Sequence, residues 1–396
     1  MPEIQTLDKK GSVMKLSKIL ICITFCVAIT FAVCCWTRPF DDVYDMPQNL
    51  VVNSEDYSEP ISALVQYKYN KESNTVDFLL LNTLKIHSVN ATETRQVYLG
   101  GDIWGFDYDG KGVLVVSNKG LGEANTELLA GDVIVGIDES EVSCVADIAK
   151  ALNGKGENQE VCVKLVRNAE RIEKFVKPKY DSLTKRYKLG VWAQEGLNGV
   201  GTVTYIDAQT GRFGALGHPI VEPNSQAIFE VDSGKAQKCV VLGVKKADRG
   251  SPGEIRAILP RTKSEVGTVD KNCETGIYGT VDLSSFVDTG RLKVELGGRL
   301  TAKPGKATIY SCIDGKNIRP YEIEIIKTNF QGSGKQKNLV FRVTDDILLK
   351  TTGGIVQGMS GSPIVQNGKL IGAITHVFVN DPTKGFGIYI DNMVTN

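Results

Sequence analysis

Gly358-Met359-Ser360-Gly361-Ser362-Pro363, close to the C-terminal end, decides how the chain reads. A serine set between glycines and closed by a proline suits an exposed nucleophile on a tight loop. Glycine lets the backbone take positive φ and turn its N–H groups toward one point. Ile364 and Val365 continue as a strand, Asn367-Gly368 is a hairpin signal, and Leu370 to Val377 reads as the return strand. A purely structural Gly/Ser turn is the competing reading of the same six residues.

A serine nucleophile needs a base. The chain has three histidines, His87, His218 and His376. His87 falls in a strand-like stretch and reads as structural. His218 sits in Arg212-Phe213-Gly214-Ala215-Leu216-Gly217-His218-Pro219, where glycine permits close approach and Pro219 biases His218 toward extended backbone. His376 follows Ser360 by 16 residues on the return strand and reads as a satisfied core or edge histidine. His218 is therefore the expected base. For the carboxylate that orients the imidazole, spacing leaves Asp345, Asp346, Asp232, Asp282 and Asp288 open. Ser360 holds the Gly-x-Ser-Gly position and is the better nucleophile, while Ser362 reads as a loop hydrogen-bonding residue. A strand, serine loop and hairpin in this order resemble the second barrel of chymotrypsin-like proteases.

At 396 residues the chain has room for two or three domains, and 42% apolar residues support real cores. Lys+Arg 46 balances Asp+Glu 46, so charge gives no argument for nucleic acid. Cys22, Cys26, Cys34 and Cys35 sit in one apolar run, where cysteine acts as a small hydrophobe. Cys144, Cys162, Cys239, Cys273 and Cys312 are scattered without CxxC spacing, which argues against a zinc site and a dense disulfide framework. Neither metal nor organic cofactor is expected.

Ile19 to Trp36 is apolar apart from Thr24 and Thr30, and its 18 residues just span a bilayer. Lys9, Lys10, Lys15 and Lys18 precede it, and Asp41, Asp42 and Asp45 follow. The positive-inside rule then puts the N-terminus in the cytoplasm and everything after Arg38 outside. Without a good A-x-A site, an uncleaved signal anchor is expected over a removed signal peptide. Residues 39 to about 60, with three prolines, read as a juxtamembrane linker. Ser62 to Tyr69 and Val76 to Val89 look strand-like.

Farther along, Leu129-x-Gly131-Asp132-x-Ile134-x-x-Ile137 is followed by a short helix that Ser143 can cap, with Val145, Ile148, Ala149 and Leu152 at helical spacing. Val161, Val163, Leu165 and Phe175 suggest a closing hairpin. This stretch resembles a PDZ domain of the bacterial type. Such domains bind an extended peptide by strand addition. Leu99, Gly100, Gly101, Ile103, Gly105 and Phe106 are the loop and strand the resemblance assigns to the peptide. From about Lys188 the chain is rich in glycine and short apolar strands, as an all-β domain of double-barrel or sandwich size is.

Leu216-Gly217-His218-Pro219, Asp345, and the run from Thr352-Gly353-Gly354 through Pro363 together closely resemble the stage IV sporulation protein B peptidases of endospore-forming bacteria. The resemblance covers nearly the whole chain. It implies a mainly β architecture: an N-terminal membrane helix, an α+β PDZ domain and a chymotrypsin-like double β-barrel peptidase domain. The corresponding spans are 1–38, 39–95, 96–180 and 186–396. It assigns His218 as base, Asp345 as orienting acid and Ser360 as nucleophile, with Gly358 and Ser360 N–H groups as oxyanion hole. It further implies a membrane-tethered sporulation signalling endopeptidase, acting between forespore and mother-cell membranes. Such an enzyme cleaves itself, then a regulatory membrane-protein partner of an intramembrane protease, and so releases a late sigma factor from its precursor. The competing classes are a catalytically silent PDZ adaptor scaffolding a membrane complex and a general quality-control protease.

Overall fold

The computed structural model describes residues 49–394, apart from 53–57, 61–64, 121–126, 157–158, 169, 224–225, 260–264, 288–289 and 331–335. The apolar run read as a membrane anchor lies outside the described residues, as does Asp288. No described helix is long and apolar enough to cross a membrane. The chain divides into two compact units, residues 1–48 with 55–90, and residues 49–54 with 91–396.

In the first unit, Val65–Asn70 and Thr75–Leu80 form an antiparallel hairpin, and Leu84–Glu93, which starts in this unit, pairs with the second strand. Val65, Tyr67 and Tyr69 alternate inward, as do Val76, Phe78 and Leu80. That two-residue period is what a strand with one buried face requires. The Asn70 carboxamide oxygen accepts the N–H groups of Glu72 and Ser73 and closes the turn. His87 pairs across from Phe78, in this unit and not in the unit that holds Ser360.

The second unit contains two closed antiparallel barrels. The first is a ring of six strands: the early part of Ile103–Ser117, the later part of Trp192–Asp207, Arg212–Ala215, Gly276–Val281, Glu265–Cys273 and Val231–Lys238, which returns to the first. Its core packs Trp104, Phe106, Phe213 and Phe229, with Trp104 edge-on to Phe213 at 5.4 Å. The second ring also has six: Gly305–Ser311, Arg319–Thr328, Leu339–Val343, Lys384–Tyr389, Lys369–Val377 and Pro363–Gln366. Ile309, Phe341, Ile364 and Ile374 fill it. Closure leaves neither ring with an edge to protect. Asn367 and Gly368 both take positive φ, 51° and 78°, the left-handed pair that a two-residue hairpin needs.

Between the first two strands of the first barrel lies an α+β module with its own core of Val113, Ile134, Ile137, Val161, Val163 and Leu165. It holds Val133–Ile137, the helix Val145–Ala151, and the hairpin Val161–Arg167 with Glu170–Val176. Ser143 is not the helix cap. Cys144 takes that position, and the Asp147 carboxylate accepts the N–H groups of Ser143 and Cys144 at 3.0 and 3.2 Å.

The placement of Leu99 to Phe106 corrects the sequence reading. Ile103 to Asp109 is hydrogen-bonded on one edge to Gly196–Thr202 and on the other to Val231–Lys238. A strand with both edges occupied has no row of free N–H and C=O groups for a peptide to join. Gly100 and Gly101 donate to Thr204 O and Val203 O, so that loop is spent inside the barrel as well. The module begins only after Gly112, whose φ of +113° turns the chain from one core toward the other. Trp104→Ala is accordingly expected to destabilise the barrel by roughly 3–5 kcal/mol, as large buried aromatics do. Urea denaturation of the variant beside the parent checks this; a change within about 0.5 kcal/mol, typical of a surface site, contradicts it.

Candidate active site

The serine loop begins at a helix. Asp345 is the N-cap of Asp346–Thr352, where its carboxylate accepts the Leu348 N–H at 2.9 Å, and it also receives the Glu322 N–H at 3.3 Å. The helix stops at Gly353, in the left-handed region with φ +77°. Ile355 N–H then bonds Pro382 O, and Gln357 is paired in both directions, its N–H to Gly253 O and its carbonyl to the Ile255 N–H. That second bond matters for the next residue. A trans peptide is planar, so a carbonyl turned toward Ile255 turns the Gly358 N–H to the opposite side. Among the described residues, neither Gly358 N–H nor Ser360 N–H has a protein acceptor. They stand as a pair of unused donors flanking the serine.

The loop is held from the other barrel. Thr202 Oγ1 donates to Gly358 O, Thr204 Oγ1 donates to Gly361 O, both at 2.7 Å, and the Thr202 N–H donates to Ser360 O at 2.9 Å. Gly361 has φ +94°, and a Cβ there would lie 1.9 Å from Thr202 O, so only glycine fits. From the second barrel, Gly361 N–H reaches Ile374 O and Ile374 N–H reaches Ser362 O. Met359 is fully buried beneath. The Ser360 hydroxyl donates to Thr375 O at 2.9 Å. Ser362, expected to hydrogen-bond in the loop, does so through its backbone; its buried hydroxyl has no partner.

His218 arrives on a tight turn after Arg212–Ala215. Leu216 and Gly217 both have positive φ, 68° and 70°, and for leucine this is a strained conformation. Asn272, buried, fixes the far side by accepting the Ile220 N–H at 3.0 Å and donating to Ile220 O at 2.8 Å. His218 Nδ1 lies 2.9 Å from Pro219 O. A carbonyl can only accept, so Nδ1 carries the proton and Nε2 keeps its lone pair. Burial lowers the His218 pKa, with the Pro219 bond opposing, so the ring is neutral at neutral pH.

The second histidine is here too. His376 follows Thr375, and its ring centroid is 5.6 Å from that of His218 at 43°. It is not the satisfied histidine the sequence suggested: its buried Nδ1 has no partner. No carboxylate among the described residues bonds to either ring. Asp345 is occupied with the helix, and Asp282 with Ser284. Thr202, Thr204 and Asn272 are the site residues that the sequence does not single out, and His376 is the one it places in the core.

The arrangement can carry out acyl transfer: a hydroxyl, a neutral imidazole with a free Nε2, and two backbone donors. Asp345→Ser and Asp345→Asn, both good caps, are expected to keep most activity, whereas Asp345→Ala loses about 1 kcal/mol of stability. A fall of about 10⁴-fold in Asp345→Asn at unchanged stability would instead put Asp345 on the base. For pH, with His218 as the expected base, protonation would remove it, so activity should be full above the ordinary histidine value of about 6.5 and be lost only below it. Stability moves the same way. His376 is pushed down to about 4, chiefly by burial, so between about 4 and 6.5 the unfolded chain binds more protons. Thermal midpoints should therefore fall as pH drops through that window; a flat profile would contradict the burial.

No curated protein matches the sequence. Among solved structures, the inactive form of the Rv3671c protease is 12% identical, covering 50% of this chain and 81% of that one, with a TM-score of 0.26. Deg5 is 14% identical, covering 50% and 80%, also at 0.26. A mutant inactive form of Rv3671c from M. tuberculosis H37Rv is 12% identical, covering 48% and 76%, at 0.25. Scores this low add nothing to the fold read from strand pairing. The family model for SpoIVB peptidase S55 matches residues 185–394, more than half of the chain and inclusive of both His218 and Ser360. The chain is a serine peptidase and belongs to the SpoIVB peptidase S55 family.

Proposed function

We propose that this chain is a membrane-tethered sporulation signalling endopeptidase. It cleaves itself in the N-terminal region and then a regulatory membrane-protein partner, which triggers intramembrane proteolysis of a late sigma-factor precursor. The observation that carries the peptidase part is the serine loop with its two unused N–H donors beside a neutral histidine. Family membership supports the sporulation setting. The lysine-flanked apolar run from Ile19 to Trp36 supports the tether, with the peptidase in the space between the two membranes. The α+β module is the PDZ domain of this reading, and it takes its peptide elsewhere than at Leu99 to Phe106.

In the reaction, the Ser360 hydroxyl leaves Thr375 O and attacks the scissile carbonyl while His218 Nε2 takes its proton. The oxyanion forms between the Gly358 and Ser360 N–H groups, each worth roughly 3 kcal/mol in the transition state. His218 then protonates the departing amine, and water repeats the cycle on the acyl-enzyme. Asp345 contributes through the helix it caps, which leads into the loop.

Expression of the full chain beside Ser360→Ala tests the proposal, with products followed by size and N-terminal sequencing. The parent should shorten between the apolar run and residue 96, and the variant should stay whole. The same fragments from both chains would mean foreign proteolysis and remove the autocatalytic part.

A further inference from the structure

Between the first-barrel strands Val231–Lys238 and Glu265–Cys273 the chain forms a hairpin, Val240–Lys245 with Glu254–Ile258, that is apolar on both faces. On the inner face Val241, Val244, Ile255 and Ala257 pack with the core of the second barrel. On the outer face Val240 lies directly across from Ile258, with Leu242 farther along the strand and Leu259 just beyond Ile258. These four side chains are 41% to 64% exposed. A strand that is apolar on both faces has the pattern of one covered on both. A group of exposed aliphatic side chains on one ordered face therefore marks a docking surface. Cations accompany it. Lys238, Lys245, Lys246, Arg249 and Arg256 are all exposed, and Asp248 and Glu254 are the only acids between residues 238 and 259. Glu254 is spent on Arg256 at 3.1 Å. Among the described residues no acid pairs with Lys238, Lys245, Lys246 or Arg249.

Resting on the membrane tether inferred above, we propose that the outer face of this hairpin docks on an anionic bilayer surface. Aliphatic side chains enter the boundary of headgroups and acyl chains while the cations stay at the phosphates, and the two attractions add. A protein partner fits less well. Interfaces between proteins are enriched in aromatic residues and depleted of lysine, and neither hairpin strand carries an aromatic residue. A second copy would set the same cations against each other, and strands of six and five residues fall short of the roughly 20–30 residues a side that a stable dimer uses. The tether brings the bilayer within reach. Residues 49–54 belong to the same compact unit as the hairpin, and the linker 37–48 that leads to them from Trp36 spans at most roughly 40 Å. The placement suits the chemistry as well. Gln357 N–H donates to Gly253 O at 2.9 Å and its carbonyl accepts the Ile255 N–H at 2.8 Å, so the hairpin walls the loop that leads to Ser360. Docking keeps that loop close to the membrane, where the proposed substrates, the N-terminal region of the chain and a membrane-protein partner, present their juxtamembrane segments.

Amide hydrogen exchange on the full chain reads the docking directly. The chain is reconstituted into vesicles of phosphatidylcholine alone or with one third phosphatidylglycerol, and exchange in peptides from residues 240–258 is followed by mass spectrometry. Anionic vesicles should slow exchange across the hairpin about tenfold relative to neutral ones, and salt at about 1 M should remove the difference. Leu242→Ser combined with Ile258→Ser changes only outward, exposed positions, so its thermal midpoint should stay near the parent's. This variant should exchange equally fast in both vesicles. Equal exchange of the parent in the two vesicles overturns the proposal, as does protection that survives in the double variant. Protection that requires an added membrane-protein partner in place of anionic lipid would make the face a protein interface and overturn it too. Retention on the vesicles through an alkaline carbonate wash reads the tether separately. Loss of the chain in that wash would sink the tether, and hairpin exchange would still decide the docking.

Discussion

The Thr202 and Thr204 hydroxyls and the Thr202 N–H, all from one strand of the first barrel, hold the serine loop of the second. The geometry of the proposed reaction depends on that clamp. Ser360 belongs to one barrel and His218 to the other, so their separation is set by whatever joins the two rings. Threonine suits the task. Its branched side chain favours a strand, and residues two apart on a strand point to one side. Both hydroxyls are buried, where a lost partner costs far more than a made bond gains. The interface therefore resists partial opening, and the loop keeps one conformation.

A second constraint sets the electrostatics. Gln357 is paired through both of its backbone groups, which fixes the peptide plane leading into Gly358. The Gly358 N–H is thus oriented before any substrate arrives, and a donor held in this way needs no reorganisation as charge develops. His218 is poised differently from the base of a carboxylate-backed triad. Pro219 O fixes its tautomer but brings no full charge, and burial favours the neutral ring. The site spends its stabilisation on the oxyanion more than on the imidazolium.

Much of this was legible in the sequence, and the reason is locality. The serine loop is a run of glycines at positions where positive φ or close approach leaves no alternative. The turn that presents His218 is equally local, written in Leu216-Gly217-His218-Pro219. What escaped reading depends on distant partners. Phe106 to Gly110 alternates as any half-buried strand does. Nothing in that alternation says that its partners lie near residues 200 and 235 rather than within the neighbouring module. Asp345 looks alike whether it faces an imidazole or a helix end, since both need a carboxylate. His376 passed for a core residue because only the folded barrel brings it beside His218. Thr202 and Thr204 read as ordinary strand residues until the loop they grip is placed against them.

In the proposed reaction Ser360 attacks from an oxyanion site clamped between two barrels, with His218 as its base. A crystal structure of the chain after reaction with a phosphonate tests it most directly. The account predicts a covalent bond to Ser360 Oγ, a phosphonyl oxygen roughly 2.7–3.1 Å from both the Gly358 and Ser360 nitrogens, and His218 Nε2 turned toward the adduct. An adduct on another residue, or a Gly358 N–H turned away from the bound oxygen, would contradict it.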